Sequence, residues 1–259
     1  MTSPWDPVQY ERFRDERSQP FFDLLNLVSP APGGTAIDLG CGTGELTKLL
    51  HEKLRARETV GLDSSESMLA KSAAFAGDGL RFELGSITDF APPAPVDVLF
   101  SNAALQWVDD HETVFPRLVG FVAPGGQVAI QMPDNDDFVT HAVAKEVALE
   151  EPFLSAMGGY IRSWPVRPPE WYAILLDRMG FGEQDVSLRI YGHQLDSRDG
   201  VVEWVKGTYL TGYEKRLSPE LYLRYLERYR HRLFETVEDR RPFFYPYRRI
   251  LIWGRKQGP

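Results

Sequence analysis

The sequence predicts an α/β fold, a doubly wound and mostly parallel sheet of seven strands with a mostly helical insertion. Three observations predict it. Apolar runs of strand length alternate with helical patterns through the first half, and glycines cluster directly behind the first such run. From residue 133 to about 240 the pattern turns helical and rich in tyrosine, tryptophan and arginine, before a last apolar run. A length of 259 residues with 43% hydrophobic content supplies a sizeable core.

Five strands are predicted at 35–39, 59–62, 81–84, 96–100 and 127–131, each short, apolar and followed by small or turn-forming residues. Between them, 45–54 offers Leu46, Leu49 and Leu50 at helical spacing. The segment 65–75 opens on Ser65-Glu66-Ser67-Met68, a capping box without its final acid. Two further strands, at 185–191 and 249–253, complete the sheet around the helical material. Within that material Ser218-Pro219-Glu220 starts a helix, with serine as N-cap and proline in the first position. Tyr222, Leu226, Tyr229 and Leu233 continue along one of its faces. With no repeat, low-complexity tract or linker, residues 1–259 are expected to form one domain. Its parts are a helical cap at 1–30, a ligand-binding half at 31–135 and a helical lid at 136–245.

Twenty-nine basic against 37 acidic residues give a net charge of −8, which disfavours a nucleic-acid or anionic-membrane partner. The N-terminus has neither a basic nor an apolar leader region, and no run approaches membrane-spanning length, so a cytoplasmic protein is expected. The lone Cys41 cannot form an internal disulfide. The five histidines lack metal-ligand spacing, and the cluster Asp134, Asp136 and Asp137 lacks the glycine and distal glutamate of a calcium loop, so no metal is expected.

Glycines 40, 42 and 44 let the backbone turn sharply after the first strand and let a ligand approach it closely. A dinucleotide fingerprint would place its third glycine at position 45, where this chain has Glu45, an acid that would face a pyrophosphate. A sulfonium nucleoside such as S-adenosylmethionine removes that conflict, because its amino-acid end carries no phosphate. Asp63 ends the second strand, where a carboxylate can accept from both ribose hydroxyls. The competing reading makes the triplet a tight turn and Asp63 a helix cap.

The string Ala36-Ile37-Asp38-Leu39-Gly40-Cys41-Gly42-Thr43-Gly44, followed by Gly61-Leu62-Asp63-Ser64-Ser65, closely resembles the first two motifs of the class I methyltransferases, whose sheet is Rossmann-like. Trp5-Asp6-Pro7, Tyr10, Glu16-Arg17-Ser18, the run from Ser101 to Trp107, the run from Gln131 to Asn135 and Tyr245-Pro246-Tyr247-Arg248-Arg249 resemble the trans-aconitate methyltransferases within that family. The resemblance implies S-adenosylmethionine as cofactor, with S-adenosylhomocysteine as product. It implies that Asp38, Gly40 and Gly42 hold the methionine moiety, that Asp63 holds the ribose, and that Ser64, Met68, Ser86 and Ile87 border the adenine. Tyr10, Arg17, Asn102 and Ala103 complete the cofactor set. Many relatives carry an aspartate where this chain has Ser86, which puts the adenine contact in question.

A carboxylate acceptor needs no general base, so alignment and exclusion of water carry the rate. Asn102 and Trp107 follow the fourth strand at the carboxyl edge of the sheet and are the expected catalytic pair, although Trp107 also reads as a core anchor. A small anionic acceptor such as trans-aconitate calls for arginines. Arg162, Arg167, Arg241, Arg248 and Arg249 are available; Arg248 is favoured, with Trp107, Tyr160 and Tyr209 beside the acceptor. Arg224, Arg228, Arg230 and Arg232 read as a solvated helix face. A malonyl carrier protein, a hydroxyl acceptor served by His111 or His193, a dehydrogenase, and a silent nucleotide-binding protein are the competing readings.

Overall fold

The structure of the protein, a computed structural model, describes residues 14–258, with side chains from residue 19 onward. Tyr10 and the side chain of Arg17 lie outside the described residues.

Seven strands form one sheet: β1 (Thr35–Leu39), β2 (Glu58–Asp63), β3 (Leu80–Leu84), β4 (Val96–Asn102), β5 (Val122–Pro133), β6 (Phe181–Leu195) and β7 (Phe243–Lys256). Their order is β3-β2-β1-β4-β5-β7-β6; the first five pair in parallel, and β7 runs antiparallel to β5. The sequence predicts this class and places the five parallel strands. It underestimates the last three elements of the sheet. β5 begins at Val122 because that residue pairs with Val96, and an irregularity between Val96 and Val98 absorbs the intervening Pro124-Gly125-Gly126 turn. β6 and β7 extend on both sides of their predicted cores, β6 through mostly polar residues and β7 through the aromatic run 243–247, which Pro246 interrupts, and through 254–256.

The chain divides into two compact units. The first comprises Arg17–Asp134, Pro165–Arg189 and the residues from Arg249 onward. Its strands alternate with period two. Ile37, Leu39, Leu99, Val128 and Ile130 fill one cluster with Phe115, Leu118 and Tyr172, whereas Ala36, Val98, Phe100 and Ala129 fill another with Phe21, Leu24, Leu50 and Leu54. Both faces of the sheet are therefore covered, as a parallel sheet requires. The covering helices are α1 (Arg14–Leu27), α2 (Glu45–Leu54), α3 (Glu66–Ser72), α4 (His111–Gly120) and, later in the chain, α7 (Pro169–Arg178).

The second unit comprises Asn135–Trp164 and Ile190–Arg248. It holds α5 (Val139–Ala148), α6 (Phe153–Ala156), α8 (Arg198–Lys206), α9 (Thr211–Glu214) and α10 (Pro219–Thr236), packed around a core dominated by tyrosine. Ser218 caps α10 as predicted, its hydroxyl accepting from the Leu221 N–H. The buried face of that helix is Tyr222, Tyr225, Tyr229 and Leu233; Leu226 is only partly covered. The Tyr225 and Tyr229 hydroxyls donate to the carbonyls of Ala144 and Thr140 at 2.7 and 3.1 Å, which satisfies two phenols that would otherwise be costly to bury. The arginines of α10 form surface ion pairs, Arg228 with Glu150, Arg230 with Asp199 and Arg232 with Glu146. Among the described residues, no helix is long and apolar enough to cross a membrane.

Candidate active site

The sheet order reverses at the β1/β4 pair, and ligands of open α/β sheets bind in the crevice that such a reversal opens at the carboxyl ends of the strands. The predicted glycine loop leaves β1 there, and Asn102 ends β4 beside it. Gly40 and Cys41 both donate their N–H to the Leu62 carbonyl, at 2.7 and 3.0 Å, so the loop is pinned to β2. Gly40 adopts φ +82°, and a Cβ placed there would lie 2.2 Å from the Cβ of Ala104. Only glycine lets the loop pass the end of β4 this closely.

Asp63 joins the loop to the next helix. One carboxylate oxygen accepts from the Gly42 N–H and the other from the Ser65 N–H, both at 2.9 Å. Ser65 makes no side-chain cap bond to α3, so the predicted capping box is replaced by this aspartate. Each oxygen keeps a further acceptor position, which suits a pair of vicinal hydroxyls. Ser64 is exposed, whereas Met68, Ser86 and Ile87 are half-buried around the same loop. The Ser86 hydroxyl bonds the Thr88 hydroxyl at 2.6 Å and accepts from the Thr88 N–H at 3.2 Å, closing its own turn. Arg117 fastens that turn through the carbonyls of Ile87, Thr88 and Phe90.

Asp38 is buried in β1 and accepts from the Thr47 hydroxyl at 2.7 Å. This bond explains why Thr47, with Leu50 and Leu54, forms the inner face of α2 while Leu49 faces solvent. Burial, opposed by the Thr47 hydrogen bond and reinforced by the charge of Asp63, pushes the Asp38 carboxyl up to about 7. An ammonium group placed beside Asp38 would favour its ionised form. Cofactor affinity is therefore expected to rise by up to about tenfold per pH unit between roughly pH 5.5 and 7, as the carboxyl ionises. Titration calorimetry across that range checks this, and Asp38→Asn removes the slope.

Asn102 has its side-chain oxygen buried with no hydrogen-bond partner, an acceptor waiting for a donor. Ala103 follows in the left-handed region at φ +53°, held by its N–H to the Gln131 carbonyl at 2.9 Å and by the Gln106 amide on its own carbonyl. The Leu105–Trp107 turn then buries Leu105, while Trp107 stays 51% exposed. The core-anchor reading of Trp107 is thus corrected, since Leu105 anchors the turn.

His111 secures this turn from below. Its Nε2 contacts the Leu105 carbonyl at 2.9 Å and its Nδ1 the Tyr172 hydroxyl at 2.7 Å. A carbonyl only accepts, so Nε2 carries the proton and Tyr172 donates to Nδ1, while the Tyr172 oxygen accepts from the Arg167 N–H at 3.0 Å. Burial keeps the imidazole neutral by lowering its pKa. Both nitrogens are committed, which argues against His111 as a general base. Tyr172→Phe is expected to cost about 1–3 kcal/mol in urea unfolding, because it strands His111 Nδ1 and the Arg167 N–H.

The residues of this site fit a nucleoside carrying an amino acid: a diol acceptor at Asp63, a buried carboxyl at Asp38 that an ammonium group would ionise, and an orphaned acceptor at Asn102. Residues 30–170 match the family model described as a methyltransferase domain, which spans more than half of the chain. The trans-aconitate 2-methyltransferase of Variovorax paradoxus is 40% identical, the match covering 98% of this chain and 99% of that protein. The chain belongs to this methyltransferase family. The enzyme of the same description from Deinococcus radiodurans is 38% identical over 96% of both chains. Solved structures show the shared fold. The YcgJ protein from Bacillus subtilis has a TM-score of 0.59 at 16% identity, covering 93% of this chain and 99% of its own. An S-adenosylmethionine dependent methyltransferase from Mesorhizobium loti has 0.50 at 20%, covering 90% and 96%.

The remaining predicted residues of this methyltransferase lie in the second unit. Tyr160 is half-buried, with the Arg216 guanidinium 3.6 Å from its ring centroid. Tyr209 is wholly covered; its hydroxyl donates to Asp136 at 3.5 Å and its ring packs on His141 at 4.1 Å. Arg248 pairs with Asp137, while its backbone N–H and carbonyl are both held by the Asn135 amide at 2.9 Å. His193 is buried against Trp204, the rings 4.6 Å apart. Thr47, Ala104, Arg117 and Tyr172 shape the site and were missed by sequence reasoning, since a residue that acts by packing or by bonding a neighbour's backbone has no motif of its own.

Proposed function

We propose that this methyltransferase esterifies a carboxylate of trans-aconitate, with S-adenosylmethionine as methyl donor and S-adenosylhomocysteine as the second product. The observation that carries this reading is the 40% identity to a trans-aconitate 2-methyltransferase over essentially the full length of both chains. When bound, the cofactor would supply an electrophilic methyl group to a carboxylate oxygen, its sulfonium sulfur leaving as a neutral thioether. No proton moves, which agrees with a loop in which His111 is neutral and fully engaged.

The chain's own residues bind and orient. Asp63 holds the ribose hydroxyls, and Asp38 with Asn102 receives the ammonium of the methionine moiety. Gly40 and Gly42 let the loop close on that moiety, and Met68 and Ile87 flank the adenine. Because the Ser86 hydroxyl closes the Ser86–Thr88 turn, the adenine amino group is left to backbone carbonyls. Trp107, half exposed at the end of the turn that follows Asn102, covers the reacting carbon and excludes water; its exposure supports this role.

The test is a comparison of kcat/KM for trans-aconitate, its saturated tricarboxylate analogue and a malonyl carrier protein, with methyl-labelled cofactor. Base-labile label on trans-aconitate at the highest kcat/KM is expected. A carrier protein preferred by tenfold, or label stable to mild base, sinks the reading.

A further inference from the structure

β5 buries Gln127 and Gln131 on one face, and the two amides are engaged differently. Both amide atoms of Gln127 are bonded: its oxygen accepts from the Ser29 N–H at 2.9 Å and the Trp253 indole N–H at 3.2 Å, and its nitrogen donates to the Ser29 carbonyl at 3.0 Å. Gln131 lies further along, at the carboxyl edge of the sheet, and is wholly covered. Its oxygen accepts from Arg249 Nη1 at 3.3 Å, but its nitrogen has no hydrogen-bond partner. A guanidinium only donates, so the atom facing Arg249 is the oxygen, and the amide nitrogen is turned away from it. A buried donor without an acceptor is costly, and a ligand that carries the acceptor removes that cost.

The strand register shows what stands beside it. Gln131 pairs with Asn102 on β4, while Phe100 of β4 pairs with Ala129 on β5 and with Asp38 on β1. Residues two apart in a strand share a face, so Asp38, Asn102 and Gln131 lie on one face at the carboxyl ends of three adjacent strands. Their chemistry changes in order across that face. β1 offers a carboxyl, β4 an amide oxygen without a donor, and β5 an amide nitrogen without an acceptor. Asn102 and Gln131 are register neighbours, about 4.8 Å apart along the hydrogen-bonding direction, yet their side chains do not bond each other. The complement of this series is a ligand with a cation toward β1 and an anion toward β5, and an α-amino acid carries both on one carbon. We propose that the Gln131 amide donates to the α-carboxylate at the methionine end of the cofactor, beside the ammonium held by Asp38 and Asn102. This rests on the reading of Asp38 and Asn102 as the ammonium site. The consequence is selectivity: a sulfonium nucleoside that keeps the amine but lacks the carboxylate leaves the Gln131 donor buried and unpaired, and binds less tightly.

The experiment uses the full chain and the variants Gln131→Met and Gln131→Glu, titrated by calorimetry with S-adenosylmethionine and with decarboxylated S-adenosylmethionine, which retains the ammonium. The original chain is expected to prefer S-adenosylmethionine by about thirtyfold. Gln131→Met is similar in size but has no donor. It is expected to weaken S-adenosylmethionine binding about thirtyfold and the decarboxylated form by less than about twofold, so that the preference disappears. Gln131→Glu keeps an acceptor for Arg249 and sets a carboxylate against that of the cofactor, and the preference is expected to invert by about tenfold. At saturating cofactor the KM for trans-aconitate is expected to stay within about twofold in both variants. Equal weakening of the two nucleosides, which a loss of packing alone produces, overturns the assignment, as does an original chain that binds them alike. A raised KM for trans-aconitate with an unchanged nucleoside preference overturns it as well, by placing the amide on the acceptor. Failure of the original chain to methylate trans-aconitate overturns the proposed acceptor, and the nucleoside preference still decides the role of Gln131.

Discussion

Asp63→Ala weakens S-adenosylmethionine binding by about a hundredfold or more, the largest loss expected from any single side chain of the first unit. Three consequences combine. The variant removes both acceptors for the ribose diol, and a hydrogen bond to a charged group contributes about 1.5–3 kcal/mol. It also releases the Gly42 and Ser65 N–H groups, each now held at 2.9 Å, so the glycine loop loses its tie to α3. Finally it removes a negative charge that raises the Asp38 carboxyl, which shifts the pH dependence of the residual binding toward acid. Calorimetric titration reads the affinity and its pH profile together. Asp63→Asn separates the contributions, because its amide retains one acceptor and discards the charge.

Gly40→Ala abolishes cofactor binding at any practical concentration and lowers stability by about 2–4 kcal/mol. The added Cβ would meet the Cβ of Ala104 at 2.2 Å, and neither atom sits on a side chain able to turn away. The backbone at φ +82° is strained for alanine even without that contact. Either the glycine loop leaves the Leu62 carbonyl, or the turn bearing Asn102 and Trp107 is displaced. A double-mutant cycle with Ala104→Gly divides the cost: the steric part is relieved in the double variant and the backbone strain is not. Urea unfolding and cofactor titration of the four chains measure both.

The parallel half of the sheet could be read because its strands are short, apolar and covered on both faces, so β1, β2 and β4 stand out against polar flanks. Glu45 and Asp63 carried chemistry into that reading, since one opposes a pyrophosphate and the other suits a diol. β6 and β7 were cut short for different physical reasons: half of β6 is polar, which blurs its hydrophobic pattern, whereas the aromatic run at 243–247 of β7 is interrupted by Pro246, which reads against a strand interior. Trp107 and Tyr209 show the same limit in opposite directions. An aromatic side chain has one composition whether it lines a cleft or fills a core, and only the fold leaves Trp107 half in solvent while covering Tyr209. Leu49 and Thr47 exchanged places because a threonine bonded to a buried aspartate is worth burying, which no helical period records. The arginines needed burial as well as identity to be sorted: those of α10 pair on the surface, and Arg162 is enclosed.

The most direct measurement is carbon NMR of the product formed from trans-aconitate and cofactor labelled with carbon-13 in the methyl group. A single ester methyl resonance that grows with enzyme and disappears on mild alkaline hydrolysis is expected. Protein that binds the cofactor but leaves trans-aconitate unlabelled, or that yields a methyl resonance stable to alkali, contradicts it.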